Sequence, residues 1–152
     1  MAALLIVAHA PLATALAAVA AHVDSAAATP VEALDVSPAM APDAVDAALR
    51  AALLRLQAGD GGEVLVLADV FGASPCNAAM RVVDGQRSRV VTGVNVPMVW
   101  RALTYAREPL ETLVARAVGG ATQGVMQVAP PRRQNQTTAV ARSDANHAHH
   151  QQ

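Results

Sequence analysis

The sequence predicts an α/β domain: a doubly wound, mostly parallel sheet with helices on both faces. Two observations predict it. Residues 2–8 and 64–68 are short, continuous apolar runs, the pattern of strands buried on both faces. Between such runs lie stretches of helical periodicity, above all residues 43–57. Strands alternating with helices imply right-handed crossovers within one parallel sheet. At 152 residues the chain fits a single domain able to bury a core.

The elements follow in order. Pro11 comes soon after the first strand. A proline steers the residue before it away from helical backbone and suits the first position of a helix. A helix over residues 11–22 is expected, with Leu12, Leu16, Val19 and Val23 on one stripe. Residues 31–36 read as a second strand, and Pro38 and Pro42 mark the loop after it. The helix over residues 43–57 puts Val45, Leu49, Leu53 and Leu56 on one face. Asp43 and Asp46 near its start and Arg50 and Arg55 later suit the helix dipole. Residues 64–68 form the clearest buried strand, and Asp69 stands at its end. A Gly72-Ala73-Ser74-Pro75 turn then opens a helix reaching about residue 83.

Residues 89–94 read as a fourth strand, and Asn95-Val96-Pro97 opens another helix. Glu108-Pro109 breaks that helix, and a last one starts near Leu110. Gly119, Gly120 and Gly124 weaken it. Residues 125–128 either end it or add a short strand. From Pro130 the composition turns polar and aperiodic. The expected organisation is a domain over residues 1–129 and a disordered tail over residues 130–152.

Composition excludes several functions. The formal net charge of −1 leaves no basic footprint for nucleic acid. The chain has no lysine, so P-loop and Schiff-base lysine chemistry are out. Its one cysteine, Cys76, allows no internal disulfide and no C-x-x-C pair, and reads as a small buried residue. Residues 1–21 are apolar, but the first basic residue is Arg50, and His9 and Pro11 interrupt the run. No signal peptide is therefore expected there. No run reaches the roughly 18 apolar residues of a membrane span. The expectation is a soluble cytoplasmic protein without membrane insertion, metal or cofactor. His22 reads as solvated, and His147, His149 and His150 as residues of an unstructured tail.

In doubly wound sheets ligands bind beyond the C-terminal strand ends, where strand order reverses. Three predicted strand ends supply His9, Asp69 with Ser74, and Asn95. A carboxylate that takes the Nδ1–H of a histidine fixes the tautomer and leaves Nε2 as a free lone pair. Such a nitrogen can attack phosphorus, act as a general base or bind a metal. The turn before the third helix favours phosphorus. Ser74 reads as the N-cap and Pro75 as the first helical residue. A helix N-terminus suits phosphoryl oxygens, and Gly72 lets the backbone approach closely. The helix after Pro11 is expected to present a second N-terminus beside His9. Phosphoryl transfer needs mainly positioning and charge stabilisation.

Three blocks then show a resemblance: Ile6-Val7-Ala8-His9-Ala10, residues 66–79 around Gly72-Ala73-Ser74-Pro75-Cys76-Asn77, and Thr92-Gly93-Val94-Asn95-Val96-Pro97-Met98. In order and spacing they resemble the mannose-type enzyme IIA family of the bacterial sugar phosphotransferase system, over about residues 1–128. The resemblance implies a phosphocarrier with no cofactor. His9 would carry the phosphoryl group, Asp69 orient its ring, and Ser74, Gly72, Ala73 and Asn95 support the group. The phosphocarrier HPr would be the donor and an enzyme IIB domain the acceptor. It also implies a homodimer. Ala10, Ala73 and Cys76 depart from the glycines and the larger residue that family members often carry there. Three alternatives stay open: a regulatory module without transport; the phosphocarrier subunit of dihydroxyacetone kinase, against which the Ser74-Pro75-Cys76-Asn77 block argues; and a plain α/β binding protein with His9 unmodified.

Overall fold

The computed structural model of the chain describes residues 1–26 and 28–131. All but the first two residues of the expected tail lie outside the described residues. The elements run β1 (Ala3–His9), α1 (Leu12–Val23), β2 (Val31–Val36), α2 (Pro42–Gln57), β3 (Val64–Ala68), α3 (Ser74–Val82), β4 (Ser88–Thr92), α4 (Val96–Thr104) and α5 (Leu110–Gln123). The four strands form one sheet in the order β2-β1-β3-β4, with every pairing parallel. The predicted doubly wound α/β architecture is the observed one.

Side-chain alternation along β1 divides the core into two layers. Leu4, Ile6 and Ala8 pack with Leu16 of α1, Met98 of α4 and Leu113 of α5. Leu5 and Val7 pack with Leu49 and Leu53 of α2 and Cys76 of α3. Leu4, Leu5, Ile6 and Val7 are wholly buried, and burying each is worth about 1.5–3 kcal/mol. This central strand therefore fixes where His9, its last residue, emerges.

Several details correct the sequence reading. The buried stripe of α1 is Ala13, Leu16 and Ala20, while Leu12 is exposed. In an alanine-rich helix the small residues face the sheet and let the helix lie close, so bulk misidentifies the inner face. The strand β4 ends at Thr92, because Gly93 takes a φ of +84° that only glycine adopts freely. Residues 125–128 form no strand and are exposed. Among the described residues no helix is long and apolar enough to cross a membrane.

Of the glycines expected to weaken the last helix, Gly120 and Gly124 instead serve its packing, while Gly119 faces open space. The helix α5 runs unbroken through Gly119 and Gly120. A Cβ on Gly120 would lie 2.2 Å from Arg101 Cγ and 2.8 Å from Arg101 Cβ. Gly120 thus lets α4 approach α5. Gly120→Ala adds about 1 kcal/mol of helix propensity, but overpacking costs typically about 1–3 kcal/mol. The expected net result is a lower Tm in thermal unfolding. A higher Tm would show that the two helices can part freely.

The turn into β4 hangs on one carboxylate. Asp84 Oδ1 accepts the backbone N–H groups of Ser88 at 2.9 Å, Gln86 at 2.9 Å and Arg87 at 2.8 Å. These bonds, led by that from Ser88, hold the Asp84 pKa down to about 2. A carboxyl with a lowered folded pKa stabilises the fold above its unfolded value of about 3.9, and that contribution fades as pH falls through the folded value. Asp84→Asn is therefore expected to lower Tm at neutral pH, with the gap to wild type narrowing between about pH 4 and 2. A gap that does not change over that range contradicts the assignment.

Candidate active site

The chain leaves β1 for β2 on one side and later returns to β3 and β4 on the other. Strand order therefore reverses between β1 and β3, and the crevice beyond their C-terminal ends is the expected ligand position. His9 is the last residue of β1, and Asp69 follows directly on β3.

The structure brings these two into direct contact. His9 Nδ1 lies 2.6 Å from Asp69 Oδ2. The same oxygen accepts the His9 backbone N–H at 2.9 Å, and Oδ1 accepts the N–H of Val70 at 2.8 Å. Asp69 thus holds both the ring and the backbone of His9. The His9 side chain is 54% exposed and that of Asp69 only 10%. Burial alone would raise the Asp69 pKa. The hydrogen bonds from the His9 backbone, the His9 ring and Val70, together with the charge of His9, outweigh it and hold the carboxyl below its ordinary value. The result is an anchored carboxylate behind an open imidazole whose Nδ1 is engaged. Nε2 is then the nitrogen left to react.

The glycine turn begins three residues after Asp69. Ala73, extended at φ −87° and ψ 165°, is the N-cap of α3, so Ser74 is the first helical residue and Pro75 the second. This moves the cap one residue back from the sequence expectation. The exposed Ser74 hydroxyl makes no capping bond. Gly72 has φ +84°, and nothing lies within 4 Å of where its Cβ would be. Its need is conformational, not steric. Asn77 Nδ2 donates to Gly72 O at 3.1 Å and ties the turn to the helix.

Asn95 is differently placed. It is the N-cap of α4: its Oδ1 accepts the N–H of Met98 at 2.9 Å, and its Nδ2 donates to Ala121 O at 3.2 Å. Both ends of the amide are engaged between α4 and α5. The loop before it is held to β3, with the Gly93 N–H on Asp69 O at 2.9 Å and the Val94 N–H on Ala68 O at 3.0 Å. Asn95 therefore shapes the neighbourhood of Asp69 through the backbone.

Residues 3–118 match the family model for the mannose-type EIIA, described as the PTS system fructose IIA component. The chain belongs to this EIIA family. Its sequence is 46% identical over 66 residues to the PTS system mannose-specific EIIAB component of Escherichia coli K12, covering 41% of this chain and 20% of that protein. The same component of Shigella flexneri matches equally. The chain thus spans about a fifth of the length of these relatives. Among solved structures, the mannose/sorbose specific IIA subunit of Enterococcus faecalis superposes with TM-score 0.74 at 27% identity, over 86% of this chain and 97% of that one. The EIIA component of Streptococcus agalactiae superposes with TM-score 0.72 at 21% identity, over 84% and 97%.

Within this EIIA fold one arrangement escaped the sequence reading. Asp35, near the end of β2, accepts the Thr14 backbone N–H at 3.2 Å on Oδ1 and the Thr14 hydroxyl on Oδ2. The N-terminus of α1, expected to be open to a phosphoryl group, already holds this carboxylate. Pro11 is the N-cap of α1 and not its first residue. Asp35 and Thr14 are 21 residues apart, and only the parallel pairing of β1 with β2 brings them together. No local signal marks them. Among the described residues there is no cluster of three or more potential metal ligands. His147, His149 and His150 lie outside the described residues.

Proposed function

We propose that this chain is a phosphocarrier: His9 accepts a phosphoryl group from phospho-HPr and passes it to an enzyme IIB partner, in sugar uptake or its regulation. The observation that carries the reading is the 2.6 Å contact between His9 Nδ1 and the anchored Asp69 carboxylate on an otherwise open ring. Membership of the mannose-type EIIA family supports it.

The chemistry follows from that contact. The Nε2 lone pair attacks phosphorus as the phosphorus–nitrogen bond to the donor histidine breaks. The bonding electrons stay with the donor nitrogen. The Nδ1 proton remains between His9 and Asp69, so the phosphorylated ring is cationic and the carboxylate balances it. Phosphoryl oxygens face the first turn of α3, where N–H groups lack intrahelical partners. The Ser74 hydroxyl joins them, and Gly72 and Ala73 give the turn its shape. Asn95 supports the site by fixing the end of the loop through residues 93–94 where it enters α4. Onward transfer repeats the step in reverse towards the IIB partner.

The protein acts in the cytoplasm as a homodimer in this reading. Trp100 and Val96 on α4, with Val125 and Met126 beyond α5, leave apolar surface exposed, which a second copy would cover. The functional test is onward transfer. The phosphorylated chain, freed of donor, is mixed with a mannose-type IIB domain. The phosphate is expected to move to IIB as it disappears from this chain. Phosphate that stays on His9 in the presence of IIB would argue for the regulatory alternative.

A further inference from the structure

The corner between β1 and α1 carries His9 and is tied down on two sides. On one side Asp69 takes both the backbone N–H and the Nδ1 of His9. On the other, the N–H of Ala10 donates to Val36 O at 3.0 Å, and the Asp35 carboxylate takes the N–H and hydroxyl of Thr14. The second set of ties comes wholly from the end of β2. The register pairs Asp35 with Ala8 and Val36 with His9, so these bonds arise level with the reacting residue.

The helix itself offers nothing in their place. Its N-cap is Pro11, which makes no capping bond, and no acidic residue lies in its first turn. A carboxylate from a neighbouring strand does both jobs. It pairs an otherwise unpartnered N–H and places negative charge at the positive end of the helix.

From this we infer that Asp35, through Thr14, is a positioning residue for His9: it clamps the start of α1 to β2 and so fixes the backbone from which the His9 ring meets Asp69. The inference rests on His9 as the reactive residue. Asp35 touches no reacting atom. By filling the N-terminus of α1 it also leaves the end of α3 as the place for phosphoryl oxygens. Two carboxylates then serve one histidine. Asp69 acts on the ring, and Asp35 acts on the chain that carries it.

The test uses the full chain with Asp35→Ala, Thr14→Val and Thr14→Ser. Phosphorylation by phospho-HPr is followed in single turnovers at several donor concentrations. Asp35→Ala and Thr14→Val are expected to lose roughly ten- to a hundredfold in maximal rate, since small misplacements of a reacting group cost that much. Half-saturation by the donor should not move, because no docking surface changes. Thr14→Ser, which keeps both the hydroxyl and the N–H, is expected to restore the wild-type rate. The double variant Asp35→Ala/Thr14→Val should lose no more than Asp35→Ala alone, which already removes both bonds to Thr14.

An independent readout is the His9 tautomer by long-range ¹H–¹⁵N NMR, which needs no donor. Wild type should show the Nδ1–H form. Asp35→Ala should show a mixture of tautomers. Folded variants with the wild-type rate and tautomer would overturn the inference, whatever the donor proves to be. Wild-type protein that takes no phosphate while its tautomer responds to Asp35→Ala would instead sink the donor assignment and keep the clamp. If Asp35→Ala fails to fold, Thr14→Val carries the same readings, since it keeps the backbone bond to Asp35.

Discussion

His9→Ala is expected to take up no phosphate while keeping the fold. The side chain is 54% exposed, so its removal opens no cavity. Asp69 would still accept the backbone N–H of residue 9 and that of Val70. The partly buried carboxylate is therefore not orphaned, which is the usual source of large losses. The lost side-chain contact is partly solvent-exposed and worth about 1 kcal/mol or less. Circular dichroism and a thermal melt should match wild type within a few degrees, while phosphate incorporation drops below detection. Collapse of the fold would assign His9 a structural role instead. A phosphate retained at wild-type level would place the chemistry elsewhere.

The second large effect is expected at Asp69. Asp69→Ala removes the partner of Nδ1 and the anchor of the His9 backbone together. The ring is then free to exchange tautomers and to rotate, and the cationic phosphorylated form loses its counter-charge. The rate of phosphorylation should fall by roughly a hundredfold, the scale of a misplaced reacting group. His9 should remain the only modified residue. Asp69→Asn separates the contributions, because its amide oxygen can still accept the His9 N–H but offers no charge. An intermediate rate is expected there. The pH behaviour has a sign. Burial pushes the Asp69 pKa up, but the hydrogen bonds and charge of His9 and the Val70 N–H hold it below its ordinary value. Its stabilising contribution is thus complete above a pH of about 4 and fades below it as the carboxyl protonates. Wild type and Asp69→Asn should therefore differ most in Tm near neutrality and least in acid. Wild-type transfer rates in Asp69→Ala would remove the carboxylate from the mechanism.

Much of this site was legible because strand ends are legible. Residues 31–36 and 64–68 coincide with β2 and β3, and β1 is displaced by one residue. Continuous apolar runs declare buried strands, and a polar residue after such a run must stand at the sheet edge. That logic places His9 and Asp69 together before any coordinate is known. It falls short where backbone detail decides. Pro75 occupies the second helical position, so the cap is Ala73 and not Ser74. Nothing in the local residues distinguishes these two placements of proline. Asn95 was legible as the opener of a helix, but the bond from its amide to Ala121 crosses 26 residues. The Asp35–Thr14 tie crosses 21 and exists only after β1 and β2 pair. Gly120 shows the same limit from the other side. Propensity marks it as a weak point, whereas the proximity of Arg101 makes it a packing requirement. Local pattern finds the elements and the residues at their ends. Contacts between distant segments decide what each of those residues does.

A phosphoryl group on His9 can be weighed directly. The chain is incubated with phosphoenolpyruvate, enzyme I and HPr, and its intact mass is read before and after mild acid. The expected result is the mass of one added phosphate, lost in acid and never gained by His9→Ala. A folded wild-type protein that gains no mass under these conditions, or gains an acid-stable phosphate, would contradict it.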